Sequence, residues 1–345
     1  MAKILYGVQG DNNGHINRSL CVVELLAGHE LLFVGGGAAR RAADAGYAFE
    51  EVPVVGIKVR DNKLDIVPTL TDVVKKRAGQ KQWVERLCRI ARAFDPDLIL
   101  TDYEYFTPRA ARLLDRPCYS LDHQHVLSRT SYRTSPAWPL RRFIAVSTMN
   151  MSLPGLNGSL ICSFHQPPLL DPERDAIFGT LPRADALAMR PEDGGHALMY
   201  LPGCNVEAVC GLFGGRKRQY RIYGLGALPE KGNLLFCAPS REGFLADLAS
   251  AAYAISCGGH GMLTEALLFG KPCLCFPNRF LYEQFWNAHF VQKNGYGSYL
   301  TSFAAPRGTV DAFEASLEAY RQNILAVDFD GRAVLKQRLD ALLGC

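Results

Sequence analysis

A chain of 345 residues is about twice the size of a typical single domain, so two domains, each with its own core, are expected. Hydrophobic residues make up 48% and charged residues 21%, near the globular average, and no segment approaches the roughly 18 apolar residues of a membrane span. The formal charge of +4 is uneven: Lys and Arg outnumber Asp and Glu by 21 to 16 up to His165 and stand at 17 to 18 after it, so the basic surface belongs to the N-terminal half.

The opening "MAKILYGVQG" enters a strand directly, without the apolar core and small-residue cleavage site of a signal peptide, which predicts a cytoplasmic protein. Apolar strands are expected at 3–8, 29–34, 97–102 and 117–121, separated by helical patterns, and that alternation predicts a parallel α/β sheet. Between the first strand and the first helix lies "GVQGDNNGHINRS", a Gly-, Asn- and Asp-rich loop carrying Gly14, His15 and Arg18. Such residues are what turns are made of, and a loop at the carboxyl end of a strand is also where α/β folds hold ligands. The stretch from Val55 to Gln82 is an insertion, polar and then basic. The basic helix "DVVKKRAGQKQWVERLCRIAR" and the run "SPAWPLRRF", with Trp138, Arg141 and Arg142, present either a solvated face or a peripheral contact with an anionic membrane. No RNA- or DNA-binding motif accompanies this charge, so nucleic acid is not expected as a partner.

Pro167-Pro168 and Asp171-Pro172 punctuate a boundary, giving domains at 1–166 and 167–345. A second strand series follows: "HALMYLP", "RQYRIYG", "LLFCAP", "YAISCGG" and "PCLCFP". The last helical segment, near 330–343, is compatible with packing on either domain, including back onto the first. Most of the 11 cysteines sit in apolar runs and read as buried free thiols in a reduced interior. Cys273 and Cys275 have no second Cys/His pair at zinc-ligand spacing, so no metal site and no cofactor is expected.

The most informative stretch is "AISCGGHGMLTEALLFGKPCLCFPNRFLYEQFWNA", residues 254–288. A strand ends at Ser256, a turn of Gly258, Gly259, His260 and Gly261 follows, and Glu265 lies about one turn inside the next helix. Small residues let backbone amides approach an anion there, and the positive helix end stabilises a phosphate without a metal. With Gly270-Lys271-Pro272, a strand to Pro277, Glu283-Gln284 and Asn287-Ala288, this pattern resembles the nucleotide-sugar half of the GT-B glycosyltransferases, in particular the group that includes MurG and the UDP-glycosyltransferases. The resemblance is clearest over 241–297 and extends more loosely to the N-terminal half through "GHINRS".

The resemblance implies two Rossmann-like domains facing across a cleft, the first for the acceptor and the second for a nucleotide-sugar, with no metal and no cofactor. Glu265 would hold the ribose hydroxyls, Glu283 and Gln284 the donor-sugar hydroxyls, and the amides of Gly258 to Gly261 the diphosphate, with His260 as a candidate side chain beside them. Gly14, Arg18, His123 and His125 fall on the acceptor side. His15 is the candidate base for the acceptor hydroxyl, with Asp102 either orienting it or acting as base itself. Retaining members carry a second Glu eight residues before the ribose-binding one. Cys257 stands there, so inversion is expected. The implied donor is a UDP-sugar and the implied acceptor a glycan, such as a cell-envelope glycan, a lipid-linked sugar or a small molecule. Two other classes share the fold: nucleotide-sugar 2-epimerases, whose Gly-Thr-Arg-Pro-Glu loop is not matched by "GVQGDNNGH", and non-catalytic nucleotide-sugar-binding subunits.

Overall fold

The structure is a computed structural model that describes residues 1–55, 59–60, 63–64, 79–133, 138–278 and 281–344. Most of the expected insertion, with the basic run Lys75-Lys76-Arg77, lies outside the described residues.

The first sheet is wholly parallel and has seven strands: β1 (Lys3–Val8), β2 (Glu30–Gly35), β3 (Ala48–Glu51), β6 (Leu98–Asp102), β7 (Cys118–Asp122), β8 (Gly158–Cys162) and β9 (Ala176–Phe178), with β4 (Val59–Arg60) and β5 (Lys63–Leu64) forming a separate antiparallel pair. Its spatial order is β3-β2-β1-β6-β7-β8-β9. The chain therefore builds outward from β1 on one side, returns, and builds outward from β6 on the other. Loops leaving β1 and β6 diverge at that reversal and leave a crevice at the strands' carboxyl ends. Residues alternate along β1 between two cores: Ile4, Tyr6 and Val8 pack with Phe33, Ile16 and Val22, whereas Leu5 packs with Val34, Val84, Leu87 and Ala91. Both faces are covered, which is why "KILYGV" is apolar throughout instead of alternating.

The second sheet repeats the plan with six parallel strands, β10 (Ala197–Tyr200), β11 (Tyr220–Tyr223), β12 (Leu234–Phe236), β13 (Tyr253–Ser256), β14 (Cys273–Cys275) and β15 (Gly297–Tyr299), in the order β12-β11-β10-β13-β14-β15. Its reversal falls between β10 and β13. Cys273 and Cys275 are both buried, and the ten described cysteines are free thiols.

The chain passes from one compact unit to the other at Arg183–Ala184, and Asp330–Cys345 return to the first. The proline pairs near 167 punctuate the connection between β8 and β9 instead of ending the unit, because β9 still pairs with β8 through Leu160↔Ala176 to Cys162↔Phe178. The returning helix, α7 in the series below (Arg332–Leu343), inserts Leu335 and Leu339, both fully buried, among Ile4, Cys21 and Phe178 of the first core. Leu335→Ala is expected to destabilise the first unit by about 2–5 kcal/mol, the usual cost of emptying a buried leucine site. Chemical denaturation should show the unfolding of that unit at lower denaturant.

Candidate functional site

Helix α1 (Asn13–Leu25) begins directly after the loop that leaves β1, and its N-cap is Asn12, whose side chain accepts from the Gly14 amide at 2.8 Å. Gly10 permits the loop to close: a Cβ there would meet the Gly36 carbonyl oxygen at 1.6 Å. His15, Arg18 and Ser19 stand at i, i+3 and i+4, on one helical face, and all three converge on the Asp102 carboxylate at the end of β6. His15 Nδ1 is 2.7 Å from Asp102 Oδ1, while Arg18 donates from Nη2 to Oδ1 at 2.6 Å and from Nε to Oδ2 at 2.9 Å. Ser19 Oγ lies 3.4 Å from Oδ2. Asp102 is fully buried and His15 is 6% exposed, so the carboxylate's charge is met by protein alone. Tyr103, the next residue, adopts a left-handed backbone (φ +61°) and stacks its ring on His15 at 6.1 Å.

The contact at 2.7 Å fixes the tautomer. Two lone pairs cannot face each other at that distance, so Nδ1 carries the proton and donates it to Asp102. The basic lone pair of the neutral ring then sits on Nε2, where the nearest carboxylate is Asp11 at 3.9 Å. Burial disfavours the imidazolium, but the charge of Asp102 and its hydrogen bond outweigh this, and the His15 pKa lies above its ordinary value. The Arg18 guanidinium, 3.2 Å from Nδ1, opposes part of that rise. A group held this way can take a proton at Nε2 while the carboxylate stabilises the charge that forms.

A second imidazole–carboxylate pair lies at the end of β7. His125 Nδ1 is 2.7 Å from Asp122 Oδ2, and its amide donates to Oδ1 at 2.9 Å. Burial opposes the charge of Asp122, but these partners hold its carboxyl below the ordinary range. His123 donates Nδ1–H to the Cys162 carbonyl at 2.8 Å. Both rings are buried.

In the second unit, helix α5 in chain order (His260–Leu268) follows β13, with α2 (Gln80–Phe94), α3 (Val206–Phe213) and α4 (Arg241–Ala249) before it and α6 (Tyr282–Lys293) after it. Gly259 caps α5 without a side chain, so no side chain caps the amides of Gly261 and Met262 at the positive helix end, whereas the Gly258 amide, expected to meet the diphosphate, donates instead to Ser256 Oγ at 3.0 Å. Gly258 has φ +79°, and a Cβ there would meet the Gln284 carbonyl oxygen at 2.8 Å, so α6 packs directly on the turn. Asn287, fully buried, donates to the Gly258 carbonyl at 2.9 Å. Gln284 Oε1 accepts from the Asn278 amide at 3.0 Å, which leaves its amide nitrogen for a ligand, and Glu283 is half-buried beside it. Glu265 accepts from Arg241 Nη2 at 2.6 Å, and the same guanidinium reaches both oxygens of Asp185 at 3.1 Å.

The structure thus gathers His15, Arg18 and Asp102 in one cluster of the first unit, and Gly258, Gly259, His260, Gly261, Glu265 and Gln284 around one turn of the second. Sequence inspection missed Ser19, Tyr103, Arg241 and the role of Asn287. The i, i+3, i+4 face of "HINRS" was a usable signal for Ser19, whereas the pairing of Arg241 with Glu265 depends on how the loop after β12 folds back. Among the described residues, no three His, Cys, Asp or Glu side chains converge to hold a metal ion.

The sequence profile of glycosyl transferase family 1 matches residues 2–317. An uncharacterized glycosyltransferase of Methanosarcina acetivorans is 24% identical over an alignment covering 99% of each chain. Among solved structures, LpCGTa in complex with UDP has a TM-score of 0.70 at 15% identity, covering 100% of both chains. The spinosyn rhamnosyltransferase SpnG complexed with thymidine diphosphate has a TM-score of 0.62 at 17% identity, covering 99% of this chain and 100% of the other. The chain shares their GT-B fold.

The His15 shift has a direct test. Its folded pKa is raised, so the pair stabilises the fold fully below the unfolded histidine value of about 6.5 and loses that contribution as pH rises through the folded pKa. An NMR titration should place His15 above about 6.5. Arg18→Gln should move it further up, because the opposing guanidinium charge is gone.

Proposed function

The chain belongs to glycosyl transferase family 1 and is a sugar transferase, and from that premise we propose that it moves a sugar from a nucleoside diphosphate sugar, preferentially UDP-linked, to an acceptor hydroxyl with inversion and without a metal ion. The observation that carries the mechanism is the buried His15–Asp102 contact at 2.7 Å. Nε2 of His15 takes the proton from the acceptor hydroxyl as its oxygen attacks the anomeric carbon and the bond to the diphosphate breaks. Asp102, with no surface of its own and both oxygens engaged, positions the ring and stabilises the imidazolium, as the carboxylate of a catalytic triad does. The base role therefore goes to His15, not Asp102. In the second unit the uncapped amides of Gly261 and Met262 at the start of α5 receive the departing diphosphate, with His260 beside them, and Glu265 accepts from the ribose hydroxyls. Arg241 holds the Glu265 carboxylate in place. Glu283 and the free amide of Gln284 meet the sugar. A helix terminus takes the part that a divalent cation plays elsewhere, so EDTA should leave turnover intact.

Family membership favours sugar transfer over 2-epimerisation or a non-catalytic binding role. The acceptor is a glycan, a lipid-linked sugar or a small molecule presented to the first unit, with Gly14 and Arg18 on the helix that carries the base and His123 and His125 at the neighbouring strand end. His15→Ala should lower kcat by about 10² to 10⁴-fold with nucleotide affinity unchanged, since the base acts only on the acceptor. Glu265→Ala should instead weaken nucleotide binding by about 1–3 kcal/mol, the worth of a lost charged hydrogen bond. Calorimetry with UDP and thymidine diphosphate, beside turnover with a panel of acceptors, separates the two. Equal effects of both variants on kcat alone would overturn the division of roles.

A peripheral contact with an anionic membrane from the cytoplasmic side is supported by the helix Pro139–Ser152. Leu140, Phe143, Ile144 and Met151 recur at helical spacing and are 56–68% exposed, beside Arg141 and Arg142. By contrast, Gln80–Phe94 buries Val84, Leu87, Cys88 and Ala91 and offers only its charged face. Among the described residues no helix is long and apolar enough to cross a membrane. The protein should co-sediment with vesicles containing phosphatidylserine and not with neutral ones, and Phe143→Ser with Arg141→Ser should abolish that binding. Retention on neither vesicle type would exclude the contact.

A further inference from the structure

A thiol stands on each side of the reversal in the second sheet. Cys204 lies between β10 and α3, and Cys257 follows β13, immediately before the Gly258–Gly261 turn. Their sulfurs are 3.8 Å apart, and the residues are 9% and 8% exposed. A disulfide requires a separation of about 2.0 Å. Cys204 belongs to an irregular connection, so the remaining approach can be made without breaking a sheet ladder. The two thiols are also chemically unequal. The hydrogen bond from Cys257 stabilises a Cys204 thiolate against the effect of burial and holds its pKa below the ordinary value, whereas the same contact and burial push Cys257 up. Either sulfur can donate to the other, so the contact stabilises a thiolate on one of the pair and keeps the second thiol within reach.

We propose that Cys204 and Cys257 form a reversible disulfide when the protein meets a hydroperoxide, making the base of the glycine turn a site of oxidative modification. The thiolate of the pair attacks a peroxide oxygen; the S–O bond forms, the O–O bond breaks, and the leaving hydroxide takes a proton to become water. The second thiol, losing its proton, then displaces hydroxide from the sulfenic sulfur, and a second water departs as the S–S bond forms. Two thiols lose two electrons and two hydrogens, and one peroxide becomes two waters. Gly258, the residue after Cys257, is pinned by Ser256 at its amide (3.0 Å) and by Asn287 at its carbonyl (2.9 Å). Whatever part of the approach Cys257 makes strains both anchors and shifts the amides that follow. The crosslink stands on the sulfur geometry alone; its effect on nucleotide binding rests on the donor assignment made above.

The full-length protein is treated with hydrogen peroxide at near-stoichiometric ratio, its remaining thiols are alkylated, and it is followed by intact mass and peptide mapping. The expected product has lost two hydrogens, contains a 204–257 linked peptide, and reverts with dithiothreitol. Cys204→Ser, or Cys204→Ala if the serine variant folds poorly, should give no such peptide. Oxidation that leaves Cys204 alkylatable, or that links Cys210 or Cys237 instead, overturns the proposal. UDP affinity by calorimetry should fall at least tenfold in the oxidised protein, recover on reduction, and be insensitive to peroxide in Cys204→Ser. A linked peptide with unchanged UDP affinity overturns the coupling to the turn. Absence of UDP and thymidine diphosphate binding in the reduced protein overturns the donor assignment, while the mass measurement still decides the crosslink.

Discussion

A fully buried carboxylate is costly unless its charge is met, and Asp102 is the point on which the first unit's chemistry depends. Three side chains of one helical face meet it, and each is fixed as a result: Arg18 in a two-point pair, Ser19 against Oδ2, and His15 in a single tautomer with its other nitrogen left basic. The pair with Arg18 also limits how far the carboxylate raises the basicity of His15. An imidazole beside an unshared carboxylate would be protonated to higher pH, and less of it would be available to accept a proton. Arg18 thus limits the basicity of His15, the proposed base, while making a two-point pair with the carboxylate they share.

The same topology produces both candidate sites. Each sheet starts at a central strand, extends one way, and restarts beside that strand to extend the other way. At the first reversal, α1 brings an imidazole onto the strand end of β6. At the second, the loop after β10 meets the strand end of β13, and the groups brought together are two sulfurs below a glycine turn that opens a helix. In the proposed function one crevice moves a proton and the other receives an anion, although the strand order is alike. The difference lies in the residues within a few positions of each strand end, where substitution leaves the sheet undisturbed.

Much of this was legible in the sequence, and the limits have physical causes. Strands β1, β2, β6 and β7 announce themselves because a parallel strand covered on both faces must be apolar along its length. Edge strands do not: β3 reads Ala-Phe-Glu-Glu and is partly exposed, while β9 and β15 have three residues each. The prolines near 167 suggested a boundary because proline interrupts pairing, but a loop between two paired strands tolerates proline equally well. His15 and Arg18 were singled out by the resemblance of their glycine-led motif to that of the glycosyltransferases. Asp102 was already a candidate to orient His15, whereas its two-point pair with Arg18 required knowing that β6 lies beside β1, a fact of sheet order with no local trace. Arg241 was invisible for a related reason: its partner Glu265 lies on a different helix, beyond β13.

The helix Arg332–Leu343 packs against residues made about 150 to 330 positions earlier, from Phe178 back to Ile4. On a ribosome, the sheet of the first unit can assemble long before this helix emerges, with the patch around Ile4, Cys21 and Phe178 still uncovered. The second unit lacks that dependence, because the body of its core, Ala184–Phe329, is complete before the helix is made. Synthesis from the N-terminus therefore reverses the usual expectation that the first domain matures first. Here the later-made unit closes first, and the earlier one waits with an apolar face that a chaperone is suited to shield. Full stability of the first unit, and with it the fixed geometry around Asp102, is reached only after this helix has been made.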